Sequence, residues 1–124
     1  MILYGHPFSS YTWKALIPLY EKGLDFEFRI LDEEHPEHWE QLRAHWPRGQ
    51  MPVLVDHGQG VFESSIIIEY LDIAYPETPQ MIPDDREAAL KVRLLDRVFD
   101  CHLEASFQAA VSEYIPFITA TPDP

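Results

Sequence analysis

Three short runs carry side chains whose types and spacing suit chemistry: Ser9-Ser10-Tyr11-Thr12, Met51-Pro52 and Glu63-Ser64-Ser65. The first run lies between a β-prone segment and a helix-prone one. A hydroxyl placed there can donate to a thiolate, and the N–H groups of the helix start favour the same anion. A thiol with a pKa of about 8.5 is only slightly ionised at neutral pH. Lowering that value by about two units requires ~2.7 kcal/mol of preference for the thiolate. One hydrogen bond to a charged group supplies about 1.5–3 kcal/mol, and a helix end adds to it. A hydroxyl of this run together with the helix end can therefore reach the necessary stabilisation, and Ser9, Ser10 and Tyr11 all offer one. A plain serine cap accounts for the same residues.

The second run is a proline that opens an otherwise central hairpin strand. Pro52 cannot donate to the strand ladder, which a cis Met51-Pro52 bond at a tight turn would explain. A cis bond would turn the N–H and C=O of Met51 outward, toward a bound peptide. A trans proline at a strand edge is the other explanation. The third run sits where a strand gives way to a helix. Helix N-termini bind carboxylates through their N–H groups, Ser64 adds a hydroxyl, and Glu63 adds an anion that can hold an ammonium. A free amino-acid end carries both charges and would fit that pair. An ordinary cap with an acidic neighbour explains it as well.

Other reactive side chains fit less demanding roles. Five of the six histidines lie in the first half, at His6, His35, His38, His45 and His57, without the convergence that a metal site needs, so no metal is expected. Cys101 falls on an apolar helical stripe and is expected to be a packed, inert thiol. The single cysteine excludes an internal disulfide and the paired-cysteine redox motifs.

The elements that must position the three runs follow from periodicity and punctuation. A short strand is expected at Ile2 to Tyr4, ended by Gly5 and Pro7. A helix from Ser10 to about Lys22 follows, its apolar face formed by Trp13, Leu16, Ile17 and Tyr20, with Pro18 inside it and Gly23 at its end. Phe26, Phe28 and Ile30 alternate as a second strand. A second, shallowly packed helix is expected from Pro36 to about His45. Val53 to Val55 and Val61 to Phe62 form a hairpin about a turn at Asp56 to Gly60, and a third helix runs from Ser64 to about Tyr75. After a linker at 79–83, a fourth helix is predicted to start at Asp84, in capping-box spacing with Glu87, and to continue to about Tyr114. Its stripe of Leu90, Leu94, Val98, Cys101 and Ala105 needs cover. A βαβ unit followed by a hairpin and a helix implies an α/β fold of thioredoxin-like type, a four-stranded mixed sheet with helices on both faces. The predicted organisation is that domain over 1–78, the linker, and the beginning of an all-helical domain over 84–124.

The balance of 9 basic and 21 acidic residues gives a formal charge of −12, which disfavours nucleic acid and anionic membrane surfaces as partners. No apolar run is long enough to span a bilayer and the start lacks a signal-peptide pattern, so a cytoplasmic setting is expected.

Taken in order, LYGHPFSSYTWKALIPLYEKGLDFEFR, RGQMPVLVD and VFESSIIIEYLDIAYP resemble the N-terminal domain of glutathione transferases, in particular the bacterial, zeta- and theta-like serine classes. The resemblance is dense over residues 1 to about 80 and looser to about Phe99. It implies that Ser9 stabilises the thiolate of glutathione with Ser10 in support, and that Met51 pairs its backbone with the cysteinyl part beside a cis Pro52. It implies that Glu63 and Ser64 hold the γ-glutamyl end, and that Gln50 or Arg48, or less directly His38, reaches the glycyl carboxylate. Cysteine-using relatives carry Cys at the Ser9 position, and some carry a second at Thr12, so serine here implies thiolate activation in place of a mixed disulfide. The implied function is a glutathione transferase acting on an electrophilic small molecule, with glutathione as co-substrate, no other cofactor, and a homodimeric assembly. A glutathione-binding module without turnover is the alternative, as is a glutathione-dependent isomerase, peroxidase or dehalogenase. A disulfide or dehydroascorbate reductase is disfavoured by serine at position 9. The family's helical domain supplies most of the electrophile pocket, and only its first helix is recognisable here.

Overall fold

A computed structural model describes residues 1–104 and 106–107. The elements run β1 (Ile2–Gly5), α1 (Ser10–Glu21), β2 (Glu27–Ile30), α2 (Pro36–His45), β3 (Val53–Asp56), β4 (Gln59–Phe62), α3 (Ser64–Ala74) and α4 (Arg86–Val98). The four strands form one mixed sheet in the order β2-β1-β3-β4, with β1 parallel to β2 and antiparallel to β3, and β3 antiparallel to β4. This is the expected thioredoxin-like α/β architecture. Met1–Ile82 is one compact unit and a second begins at Pro83.

The central strands show why the sheet needs helices on both faces. Alternate residues point to opposite sides. Leu3 and Leu54 enter one core with Ala15, Leu16 and Leu19 of α1, Val61 of β4, and Ile67 and Leu71 of α3. Tyr4, Val53 and Val55 enter a second core with Leu31 and Leu42, and Leu42 is the one fully buried anchor of α2. Complete burial of each such Leu or Ile contributes about 1.5–3 kcal/mol, so both cores fix the sheet between its helices.

The buried face of α1 differs from the stripe that periodicity picks out. Trp13, Ile17 and Tyr20 are all more than half exposed, and the helix turns Thr12, Ala15, Leu16, Pro18 and Leu19 inward instead. The reason lies at Gly5. A Cβ at Gly5 would stand 2.5 Å from Thr12 Cγ2 and 2.7 Å from its Oγ1, so β1 and α1 approach as closely as glycine permits. Thr12 is buried in that contact, and its hydroxyl accepts from the N–H of His6 at 3.2 Å. The helix ends at Gly23, whose φ is +62°, with N–H bonds from Gly23 to Tyr20 O and from Leu24 to Leu19 O. That pairing is the Schellman arrangement, in which glycine takes the left-handed position and Leu24 folds back onto the core.

The hairpin turn is shorter than five residues. Only His57 and Gly58 lie between β3 and β4, with φ of +48° and +82°. Positive φ at both positions is the turn that matches strand twist, and histidine is an unusual occupant, which is why the sequence does not advertise it. Two polar clusters also escape sequence reading. Asp56 is buried at the end of β3, where its Oδ2 accepts from Tyr70 at 2.9 Å and from Tyr75 at 2.7 Å. Lys22, which closes α1, is buried against Asp72 of α3 at 2.6 Å.

In the second unit, the helix cap is Asp85, whose side chain accepts from Ala88 N–H at 2.8 Å, so the expected Asp84–Glu87 capping box does not form: the cap lies one residue later, with alanine at the position a box needs for glutamate. The helix passes into a π-type turn over Phe99–Glu104. Cys101 is exposed, not packed, because the stripe on which it was expected has no cover among the described residues. Leu90, Leu94 and Leu95 are exposed as well. Ala105 and the expected continuation from 108 to Tyr114 lie outside the described residues.

Candidate active site

Strand register brings the three runs together. Tyr4 of β1 stands opposite Val53 of β3, and Val53 stands opposite Phe62 of β4. The loop after Gly5 leads to Ser9, Met51-Pro52 immediately precedes Val53, and Glu63-Ser64 immediately follow Phe62. All three runs therefore leave the sheet at the same edge. Neighbouring strands lie about 4.8 Å apart, so the edge from β1 to β4 spans about 10 Å. An extended chain of about three residues has a similar length.

Ser9 caps α1. Its φ of −90° and ψ of 117° are extended, its Oγ accepts from Thr12 N–H at 3.3 Å, and its own N–H donates to His6 O at 2.9 Å. Ser9 is half-buried. A hydroxyl that accepts at oxygen keeps its proton for donation. The residue thus combines a donor with the positive end of a 12-residue helix. Ser10 is the first residue of that helix and is exposed. Trp13 Nε1 donates to Pro7 O at 2.7 Å and steadies the loop before Ser9.

The Met51-Pro52 bond is cis, as expected, with Pro52 buried and Met51 half-buried. Gln50 and Arg48 are exposed on the approach to β3. His38 serves a structural contact: its Nδ1 lies 2.7 Å from Ile30 O, where it ties α2 to the end of β2. His38 also stacks on His35 at 4.9 Å, and His35 Nδ1 meets Asp32 at 2.7 Å. The Asp32 carboxylate holds the His35 imidazolium above its usual range, while the bond from His35 holds Asp32 below its own. No group of three or more metal-ligating side chains converges among the described residues.

Glu63 caps α3 with a φ of +65° and a ψ of 121°, a left-handed backbone that non-glycine residues seldom take. Its side chain makes no capping hydrogen bond, and it is exposed at the mouth of the helix. Ser64 behind it is buried. Sequence reading passed over Lys14, whose Nζ donates to Ser65 Oγ at 2.9 Å and places a cation beside the first turn of α3. A basic residue one turn into α1 is the only sign of it, since Lys14 and Ser65 are 51 positions apart. The edge thus presents two helix N-termini, a hydroxyl, an acidic group and the backbone around a cis proline. That combination suits a short, peptide-like ligand with an ammonium and a carboxylate at one end and an anionic group near the Ser9 hydroxyl.

The sequence and the fold are similar to those of known proteins. Residues 3–79 match the glutathione S-transferase N-terminal domain. The chain is 36% identical over 118 residues to glutathione S-transferase 1 of Dianthus caryophyllus, covering 93% of this chain and 52% of that one. It is similar to a bacterial zeta-class maleyl pyruvate isomerase, with a TM-score of 0.71, 31% identity, and coverage of 82% and 48%. It is also similar to a glutathione S-transferase of Methylobacillus flagellatus with glutathione bound, with a TM-score of 0.77, 28% identity, and coverage of 91% and 55%. The chain spans about half the length of these relatives. Because the matched stretch holds every run that the sheet gathers at its edge, the chain belongs to the glutathione S-transferase family.

Proposed function

We propose that this chain binds glutathione along the sheet edge and, in a glutathione transferase, activates its thiolate for attack on an electrophilic small molecule. The observation that carries the reading is the convergence of the three runs over the span of about three residues. In this reading the backbone of Met51, set by Pro52, pairs with the cysteinyl segment. Glu63 holds the γ-glutamyl ammonium, and Ser64 with the start of α3 holds its carboxylate. Gln50 or Arg48 meets the glycyl carboxylate. Ser9 donates to the thiolate, with Ser10 beside it. The thiolate sulfur forms a bond to the electrophilic carbon, and the electron pair passes to the leaving group or to the acceptor end of a double bond. The protein contributes orientation and a fixed electrostatic environment.

Such conjugation is a detoxification chemistry, and a cytoplasmic setting supplies reduced glutathione for it. Homodimeric assembly belongs to the same reading and is supported by the exposed Leu90, Leu94 and Leu95 of α4. An isomerase is the second reading, favoured by the likeness to the zeta-class enzyme. In an isomerase glutathione adds to the substrate and leaves again. The test is to mix the full chain with glutathione and a panel of aryl halides, epoxides and maleyl compounds. Loss of free thiol in step with loss of substrate supports the transferase. Substrate conversion with glutathione regenerated supports the isomerase. Saturable glutathione binding without either reaction would leave only a binding module.

A further inference from the structure

The segment that leaves α3 does not behave geometrically as a free linker. Lys22 Nζ meets Asp72 Oδ1 at 2.6 Å, Thr78 Oγ1 at 3.1 Å and Pro79 O at 2.8 Å. An ammonium has three protons, so these contacts use its full donor capacity. Asp72 in turn accepts from the N–H of Met81, 3.0 Å from each carboxylate oxygen, and from that of Ile82 at 2.8 Å. Both charged groups are buried, at 5% and 8% exposure, while Pro79 and Gln80 above them are exposed. A thin stretch of irregular chain therefore covers a buried ion pair and also satisfies it.

We propose that Lys22 and Asp72 form a charge-locked strap, which holds residues 78–82 closed against the ends of α1 and α3 and opens as one piece while the sheet stays folded. The physical reason is that the contacts are mutually dependent. Partial lifting removes partners from Lys22 or N–H donors from Asp72 while the charges are still covered, whereas full lifting lets water replace those partners, so partial opening is disfavoured. The core does not depend on the segment in the same way. Leu16, Leu19, Ile67 and Leu71 pack α1 on α3 with no contribution from residues 78–82. The strap ends at Ile82, the last residue of the first compact unit, so its closure sets the path by which the chain leaves that unit.

Amide hydrogen exchange resolved by residue on the full chain tests this. In the wild-type protein, Met81 and Ile82 should exchange slowly despite lying outside any helix or strand. Asp72→Asn weakens the acceptor, and it should speed exchange at those two amides by about 10- to 100-fold, with less than about threefold change at Leu54 and Val55. Unprotected Met81 and Ile82 in the wild-type chain would overturn the strap, as would unchanged rates in the variant. Equal acceleration at Leu54 would show the segment to be part of the core and would also overturn it. If Asp72→Asn does not fold, low guanidinium on the wild-type chain gives the same decision: Met81 and Ile82 must open together, and at lower denaturant than Leu54. The outcome is independent of glutathione turnover.

Discussion

Replacing Ser9 with alanine should separate turnover from binding. The structure gives Ser9 Oγ two duties, as the cap that accepts from Thr12 N–H and, in our proposal, as donor to the thiolate. The cap bond is long, at 3.3 Å, so its loss should cost at the low end of the usual range, about 0.5–1 kcal/mol. For a unit of this size that lowers the melting temperature by roughly 2–8 °C, and the folded state persists at 25 °C. The donor duty is worth more. Hydrogen bonds to charged groups contribute about 1.5–3 kcal/mol. Ser9 is half-buried, so water competes and the lower part of that range applies, about 1.5–2 kcal/mol. The bound thiol should then rise by about one to one and a half pKa units; starting from about two units below a free thiol, kcat at neutral pH should fall about three- to eightfold, and by about 10- to 30-fold at pH values well below the bound thiol's pKa. KM for glutathione should change less than about threefold, because the neutral thiol gains little from the hydroxyl. Ultraviolet thiolate absorbance of the glutathione complex, followed against pH, measures the shift directly. Equal losses in kcat and affinity, or an unmoved thiolate titration, would refute the assignment.

Gly5→Ala should destabilise the chain by about 1–3 kcal/mol, because its Cβ would overlap Thr12, and Thr12→Ala should restore part of the loss; thermal unfolding of the single and double variants checks both. Tyr75→Phe removes a 2.7 Å bond to buried Asp56 and should cost about 1–3 kcal/mol by denaturant titration. Burial and that bond push the Tyr75 hydroxyl up to about 12 from a usual 10. The neutral phenol is thus favoured on folding, and the stability it gives is complete below pH 10 and is lost as pH rises toward 12, which alkaline unfolding of Tyr75→Phe should show as a flattened limb. Burial alone would raise the Asp72 carboxyl, but bonds from Lys22, Met81 and Ile82 outweigh it and hold the carboxyl below its usual 3.8. Its contribution is therefore present above pH 3.8 and is lost as pH falls further, and Asp72→Asn should lack that acid limb in a pH series of melting curves.

Local signals were legible wherever one residue type imposes its own geometry. Gly23 announced the end of α1 and Pro36 the start of α2, whereas Pro52 left cis and trans open until the family resemblance implied the cis bond. The order of elements followed, but the common end of the sheet beside Ser9, Met51 and Glu63 came only with the strand register. What stayed hidden depended on partners far apart in the chain. The buried face of α1 follows from the approach of Thr12 to Gly5, which a period of apolar residues cannot report. Asp56 reads as a turn residue until Tyr70 and Tyr75 fold over it, and Lys22 reads as a surface lysine until residues 78 and 79 cover it. The choice between Asp84 and Asp85 as cap turned on one position between like residues, for which sequence gives no preference.

The backbone of Glu63 carries a further lesson about selection. At φ +65° a side-chain-bearing residue costs roughly 1–3 kcal/mol, and glycine would remove most of that at an entropic cost of only about 0.5–1 kcal/mol. A sequence chosen for folding alone would thus favour glycine at this junction. If Glu63 holds the γ-glutamyl ammonium as proposed, glutamate there trades robustness for chemistry, and Glu63→Gly should gain thermal tolerance while losing glutathione affinity.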